Sequence, residues 1–170
     1  MQKQSFLFGL LMASIFIVML CGSCSSNEKK TNDSDSTTVQ VVKPFSVGNY
    51  NFAILENTKF IPYNKAIYHR GDNVYMVLEN VGPFAKDKDS LNHAQMKLEV
   101  TNSIGEVITV NDTVFRSHGH KNFLNNIIKS PYALYESDKN EKPGKYTMTV
   151  TVYDLMKKDS IVVSDDFFLE

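Results

Sequence analysis

The chain has 170 residues, 42% of them hydrophobic and 22% charged, which is enough material for one domain with its own core. Its formal net charge of -1 excludes the strong basic field that draws a protein to nucleic acid or to anionic lipid headgroups. Trp is absent, Phe and Tyr are plentiful, and both cysteines, Cys21 and Cys24, stand near the N-terminus.

In chain order, the first element is an address. Lys3 supplies a short positive region, and Phe6 to Leu20 is a continuous apolar run. The run is shorter than the ~20 residues that a membrane-spanning helix needs, and it has the layout of a secretory signal peptide. It ends Leu20-Cys21-Gly22-Ser23-Cys24-Ser25-Ser26. Small residues immediately before Cys24 resemble the bacterial lipobox, although Cys21 occupies a place where an aliphatic residue is usual. The resemblance implies a bacterial lipoprotein: residues 1–23 form the signal, Cys24 carries the lipid, and the protein sits at the cell envelope, anchored in a membrane. Ser25 after the cysteine resembles lipoproteins sorted to the outer membrane, since the Asp typical of retention is absent. The alternative is an uncleaved N-terminal anchor helix. Under the lipoprotein reading no thiol remains for a disulfide, a metal or a nucleophile.

Residues 24–43 read as a disordered tether. They are polar, with no large apolar residue before Val39, and cannot bury enough surface to offset their ordering entropy. Asp33 and Asp35 lie here as solvated charges, because calcium needs six or more converging oxygens.

The remainder, 44–170, is expected to be one domain built of strands. Tyr50 to Leu55 and Lys65 to His69 are short segments, with a turn at Arg70-Gly71-Asp72-Asn73 between the second and the next strand. Val74 to Val81 is a strong strand with Val74, Met76 and Leu78 on one face. After the charged loop Lys86 to Ser90, Met96, Leu98 and Val100 alternate with Lys97, Glu99 and Thr101, the mark of a strand with one wet face. Asn102-Ser103-Ile104-Gly105 is a hairpin turn, and Glu106 to Val110 returns. Residues 112–140 are the least regular. Phe123, Leu124, Ile127 and Ile128 recur at helical spacing, and Tyr132 to Tyr135 reads as an edge strand limited by Pro131. Pro143-Gly144 then opens the most regular strand, with Tyr146, Met148, Val150 and Val152 on one face and Lys145, Thr147, Thr149 and Thr151 on the other. It should be central. Lys157 to Ser160 turns the chain and Ile161 to Leu169 closes it, with a bulge or solvent exit expected at Asp165-Asp166.

About seven short strands with a short helical or irregular insertion predict an all-β, antiparallel β-sandwich. The run Pro143-Gly144-Lys145-Tyr146-Thr147-Met148-Thr149-Val150 resembles the penultimate strand of bacterial immunoglobulin-like or fibronectin-III-like domains. The resemblance implies a tyrosine corner at Tyr146, its hydroxyl bonded to the neighbouring turn backbone. The cysteine pair and core Trp of antibody domains are missing, so the likeness implies the general sandwich and no activity.

Candidate chemistry is sparse. His118 and His120 at alternate positions would point the same way on a strand and could begin a zinc or copper site, with Asp112, His93 or His69 as a third ligand. The alternative is a polar loop with two exposed His, flanked by the repelling charges of Arg116 and Lys121. Asp87 and Asp89 have part of a calcium-loop spacing without its Gly and distal Glu. Asp165 and Asp166 would face opposite sides of a strand, and Ser117 with His118 would diverge likewise, with no nucleophile elbow. The expectation is a protein that is not an enzyme and has no cofactor. Phe84, Phe115, Phe123, Tyr132 and Tyr135 lie in or near irregular segments, where they either form a contact patch or fold back over the core. The function expected is a binding or accessory module of a membrane-associated envelope complex, its partner a protein or a glycan and not a nucleic acid. The alternatives are a metal-binding protein of the periplasm or cell surface, built on His118 and His120, and a passive spacer.

Overall fold

The computed structural model describes residues 43–115 and 128–170. Cys24, the tether, His118, His120 and Phe123 lie outside the described residues. Nine strands run in order: β1 Asn49–Glu56, β2 Lys59–Pro62, β3 Ile67–Tyr68, β4 Asn73–Glu79, β5 Ala94–Asn102, β6 Val107–Asn111, β7 Tyr132–Glu136, β8 Gly144–Asp154 and β9 Asp159–Leu169. They form a four-stranded sheet, β2-β1-β4-β7, packed on a five-stranded sheet, β3-β9-β8-β5-β6. Every pairing is antiparallel except β3 with β9. The all-β sandwich therefore stands, with nine strands where about seven were expected; β2 is the one the sequence did not announce.

β8 is the middle strand of its sheet, as its alternation required. Tyr146, Met148, Val150 and Val152 are buried, while Thr147, Thr149 and Thr151 on the other face are only half-buried. Opposite them Val74, Met76 and Leu78 of β4 complete the inter-sheet layer. Phe167 of β9 sits at the centre with no exposed surface. Its ring meets Phe52 at 5.7 Å, Tyr135 at 5.9 Å and Tyr68 at 6.2 Å, and stacks on Tyr146 at 5.6 Å. Aromatic contacts at these separations add to the burial of the rings themselves.

Local chemistry fixes the turns. The Tyr146 hydroxyl donates to the Lys142 carbonyl at 2.7 Å, the corner bond that the Pro143-Gly144 motif implied. The hairpin between β5 and β6 closes with Gly105 at φ 78, and Asn102 Oδ1 accepts from the N–H groups of Ile104 and Glu106. That φ favours glycine because it lies in the left-handed region.

At Asp165-Asp166, where a bulge or a solvent exit was expected, the strand takes the exit and not the bulge. The β8–β9 register runs unbroken from Gly144 opposite Leu169 to Asp154 opposite Asp159. The strand absorbs both carboxylates without a bulge. Asp166 lies on the outer face, where Lys145 Nζ at 3.1 Å and Thr147 Oγ1 at 2.6 Å satisfy it. Asp165 shares the inward parity of Val163 and Phe167 but stays exposed, so the solvent exit is present. The register shift falls instead between Val100 and Thr101, where β5 meets β6.

Candidate functional site: an aromatic outer face

Each sheet needs one apolar face to build the sandwich. The four-stranded sheet has two. Strand pairing puts Leu55 opposite Phe60, Ala53 opposite both Pro62 and Tyr75, Tyr75 opposite Leu134, and Val77 opposite Tyr132, all on the face turned away from the core. Ala53, Tyr75 and Val77 are buried there as a second cluster, with Phe60 and Leu134 packed against it. Phe60 comes from one edge strand and Tyr132 from the other. Their rings cross the sheet and meet at 4.7 Å, and Tyr75 stands 5.2 Å from Phe60 and 6.0 Å from Tyr132. The small Ala53 side chain leaves room for that crossing and is fully covered. Tyr132 remains 47% exposed and Leu55 48%. The interplanar angles of 52–60° show rings packed edge against face, not laid out as one flat platform. Around the cluster the same face carries Asn51, Asn73, Glu79 and Glu136.

The structure thus separates the two tyrosines that the sequence grouped. Tyr132 is on the outer face. Tyr135, one alternation away, is 3% exposed and lies inside the sandwich against Phe167. Its hydroxyl donates to Glu141 Oε1, and burial first, then that bond, pushes its pKa well above the usual phenol range. Tyr135 is a core residue. Phe84 and Phe115 are partly buried against the core, Phe84 with its ring 4.9 Å from Phe45, so these two fold back. Leu55, Phe60 and Tyr75 were not singled out by sequence. The signal for them was the unbroken apolar run Val74-Tyr75-Met76-Val77-Leu78, which marks a strand covered on both faces.

Beside Tyr132, a cleft of about 700 Å³ opens between the edges of β6 and β7, with Leu98, Val114, Phe115, Ile128 and Tyr135 among its walls. Ile128, the one described member of the expected helical turn, is buried there.

Each of the proposed third ligands has a partner among the described residues. His93 Nε2 lies 2.7 Å from Asp87 Oδ2, and His69 Nδ1 lies 3.5 Å from Glu170. Asp112 is paired with Lys97 at 3.6 Å. Asp87 Oδ1 accepts from the N–H groups of Asp89 and Leu91, so this loop turns its own backbone onto the carboxylate. The His93 contact first, then those backbone bonds, hold Asp87 below the usual carboxylate range. Among the described residues no three His, Cys, Asp or Glu side chains are grouped to hold a metal ion. The most buried carboxylate, Asp154, accepts from Ala85 N–H at 2.7 Å, Met156 N–H at 3.0 Å and Lys157 N–H at 3.1 Å. That set of bonds ties two loops to the end of β8 and makes Asp154 a structural residue.

No protein-family model matches the chain, and no curated protein matches it in sequence.

Proposed function

We propose that the protein is a lipid-anchored binding module of the bacterial envelope, held to the membrane through Cys24 and carrying its partner on the outer face of the four-stranded sheet. The observation that carries this reading is the second apolar face, with Tyr132 and Leu55 open to solvent above Phe60, Tyr75 and Val77. An apolar cluster with a polar rim, placed where the fold does not require it, fits a contact surface. The tilted rings favour an apolar protein surface over a glycan, since a sugar ring stacks best on an open, flat aromatic face. The module acts by binding, without catalysis or a cofactor. Its placement in the outer membrane rests on Ser25 following the lipidated cysteine.

Two substitutions test the two halves. Cys24→Ser should move the protein from the detergent phase to the aqueous phase of a detergent partition; retention in detergent would refute the lipid anchor. The double substitution Leu55→Ser with Tyr132→Ser should abolish co-purification of the envelope partner while lowering the melting temperature by less than about 8 °C. Undiminished co-purification would refute the binding face.

A further inference from the structure

Four strands end the two sheets: β2, β7, β3 and β6. Exposed edges are templates for another strand unless they are shortened, bulged, or interrupted by Pro or Lys. β3 has two residues, β2 carries Lys59 and ends at Pro62, and β6 meets its neighbour through a register shift. Among the described residues, β7 has none of these devices over Tyr132–Tyr135, and no described backbone group bonds to its outer edge. Tyr132-Ala133-Leu134-Tyr135 is uncharged, free of Pro within the strand, and in unbroken register with β4.

The backbone groups on that edge can be assigned. Leu78 N–H donates to the Pro131 carbonyl at 2.9 Å and Ser137 N–H to the Asp72 carbonyl at 3.2 Å. Hydrogen-bonded pairs alternate along an antiparallel ladder. Ala133 and Tyr135 therefore bond to β4, while the N–H and C=O groups of Tyr132, Leu134 and Glu136 point away from it.

From this edge we propose that β7 pairs with β7 of a second copy of the chain, antiparallel about a two-fold axis at Leu134. Three features favour a second copy. The register is self-complementary: Leu134 faces Leu134 of the second copy, and Tyr132 faces its Glu136, so no like charges oppose within the strand. The edge is dipolar, with Lys129 before it and Glu136 and Asp138 after it, and antiparallel pairing turns the basic end of each copy toward the acidic end of the other. Lys139, which would oppose Lys129, lies back over Gly71. The apolar outer faces also become continuous, since Tyr132 and Leu134 belong to both the edge and the face. One strand pair covers less than the ~800 Å² per partner of a standard stable interface. The dimer is therefore a weak one that forms where anchoring concentrates the chains on a membrane.

In this geometry the two Leu134 Cα atoms stand about 5.5 Å apart, inside the span of a disulfide. The test is oxidative cross-linking of the full chain in intact cells. Leu134→Cys should give a band of twice the monomer mass, absent from the unsubstituted chain and from Thr149→Cys on the outer face of the other sheet. Adding Glu136→Pro, which removes an outward N–H without touching the β4 ladder, should cut the band at least tenfold, whereas Glu136→Ala should leave it. A circular dichroism melt of each variant identifies any that fails to fold. No dimer band from folded Leu134→Cys, an equal band from Thr149→Cys, or a band persisting with folded Glu136→Pro would overturn the proposal. So would a cross-link to a different protein, which would mean that the edge accepts a foreign strand. The proposed function would survive each of those results, because its test uses Leu55 and Tyr132 and not the β7 backbone.

Discussion

The outer faces of the two sheets differ in kind. On the five-stranded sheet β8 presents Thr147, Thr149 and Thr151, and β5 presents Lys97 and Glu99 beside them. Their side chains pair locally, Thr149 with Ser164 at 2.9 Å and Lys97 with Glu99 at 3.3 Å. Val162 and Phe168 are exposed on β9, but no described ring packs on Phe168, and scattered apolar residues are ordinary on a protein surface. On the four-stranded sheet the corresponding face is an interlocked cluster from β2 to β7. Both sheets bury the same inter-sheet core, so the fold explains one apolar face on each. The additional apolar face is what a partner would use.

The largest effect should come from the core that both sheets share. Phe167→Ala removes the ring that four other aromatics touch and should cost about 3–5 kcal/mol in urea unfolding. A cost below about 1 kcal/mol would mean that the sheets do not pack around it.

Alkali should act on the same layer. Burial raises the phenol pKa of Tyr68, Tyr135 and Tyr146 above the ordinary 10.0. The folded chain then holds protons that the unfolded chain releases, so the stability these groups contribute is complete below pH 10 and falls as pH rises beyond it. Ultraviolet titration of phenolate should show them ionising only together with loss of the near-ultraviolet circular dichroism signal. Ionisation with that signal intact would place them at the surface.

A matched pair of outer-face substitutions should separate the two faces. Tyr75→Ala should cost about 2 kcal/mol, because its ring is covered by Phe60 and Tyr132. Thr149→Ala at the centre of the other sheet should cost less than about 0.5 kcal/mol. Equal costs would erase the distinction between the faces. The smallest effect is acid sensitivity on the polar face. Thr147 first, then Lys145, holds Asp166 below its ordinary 3.8. The stability from Asp166 is therefore present above that pH and fades as pH falls below it. Asp166→Asn should flatten that slope slightly, with a small loss of stability at pH 7 that vanishes as pH falls well below 3.8.

Much of the fold was legible because it is local. β8 declares its register by strict alternation, and its corner bond spans only Lys142 to Tyr146. The hairpin at Asn102 to Gly105 and the edge position of β7 after Pro131 are also written within a few residues. What was hidden depends on pairing between distant segments. The β1–β2 hairpin is local, closed by Asn57 and Thr58 at positive φ, but nothing near Phe60 tells that its ring will reach Tyr132 from the opposite edge. Tyr132 and Tyr135 look equivalent in sequence, yet their positions three residues apart on a strand send one outward and one inward, and the register with β4 decides which. Of the bulge or solvent exit expected at Asp165-Asp166, the exit is the one that formed, because adjacent carboxylates on a strand can both reach solvent or a partner without a bulge.

The most direct test of the binding face is photo-cross-linking in the intact envelope from single positions carrying a photoreactive phenylalanine. Placed at Tyr132 or Leu55, the probe should capture one defined envelope protein, and Tyr75→Ala should reduce that capture. Placed at Thr149, it should capture none of that protein. Equal capture from Thr149 and Tyr132, or capture from neither Tyr132 nor Leu55, would contradict the account.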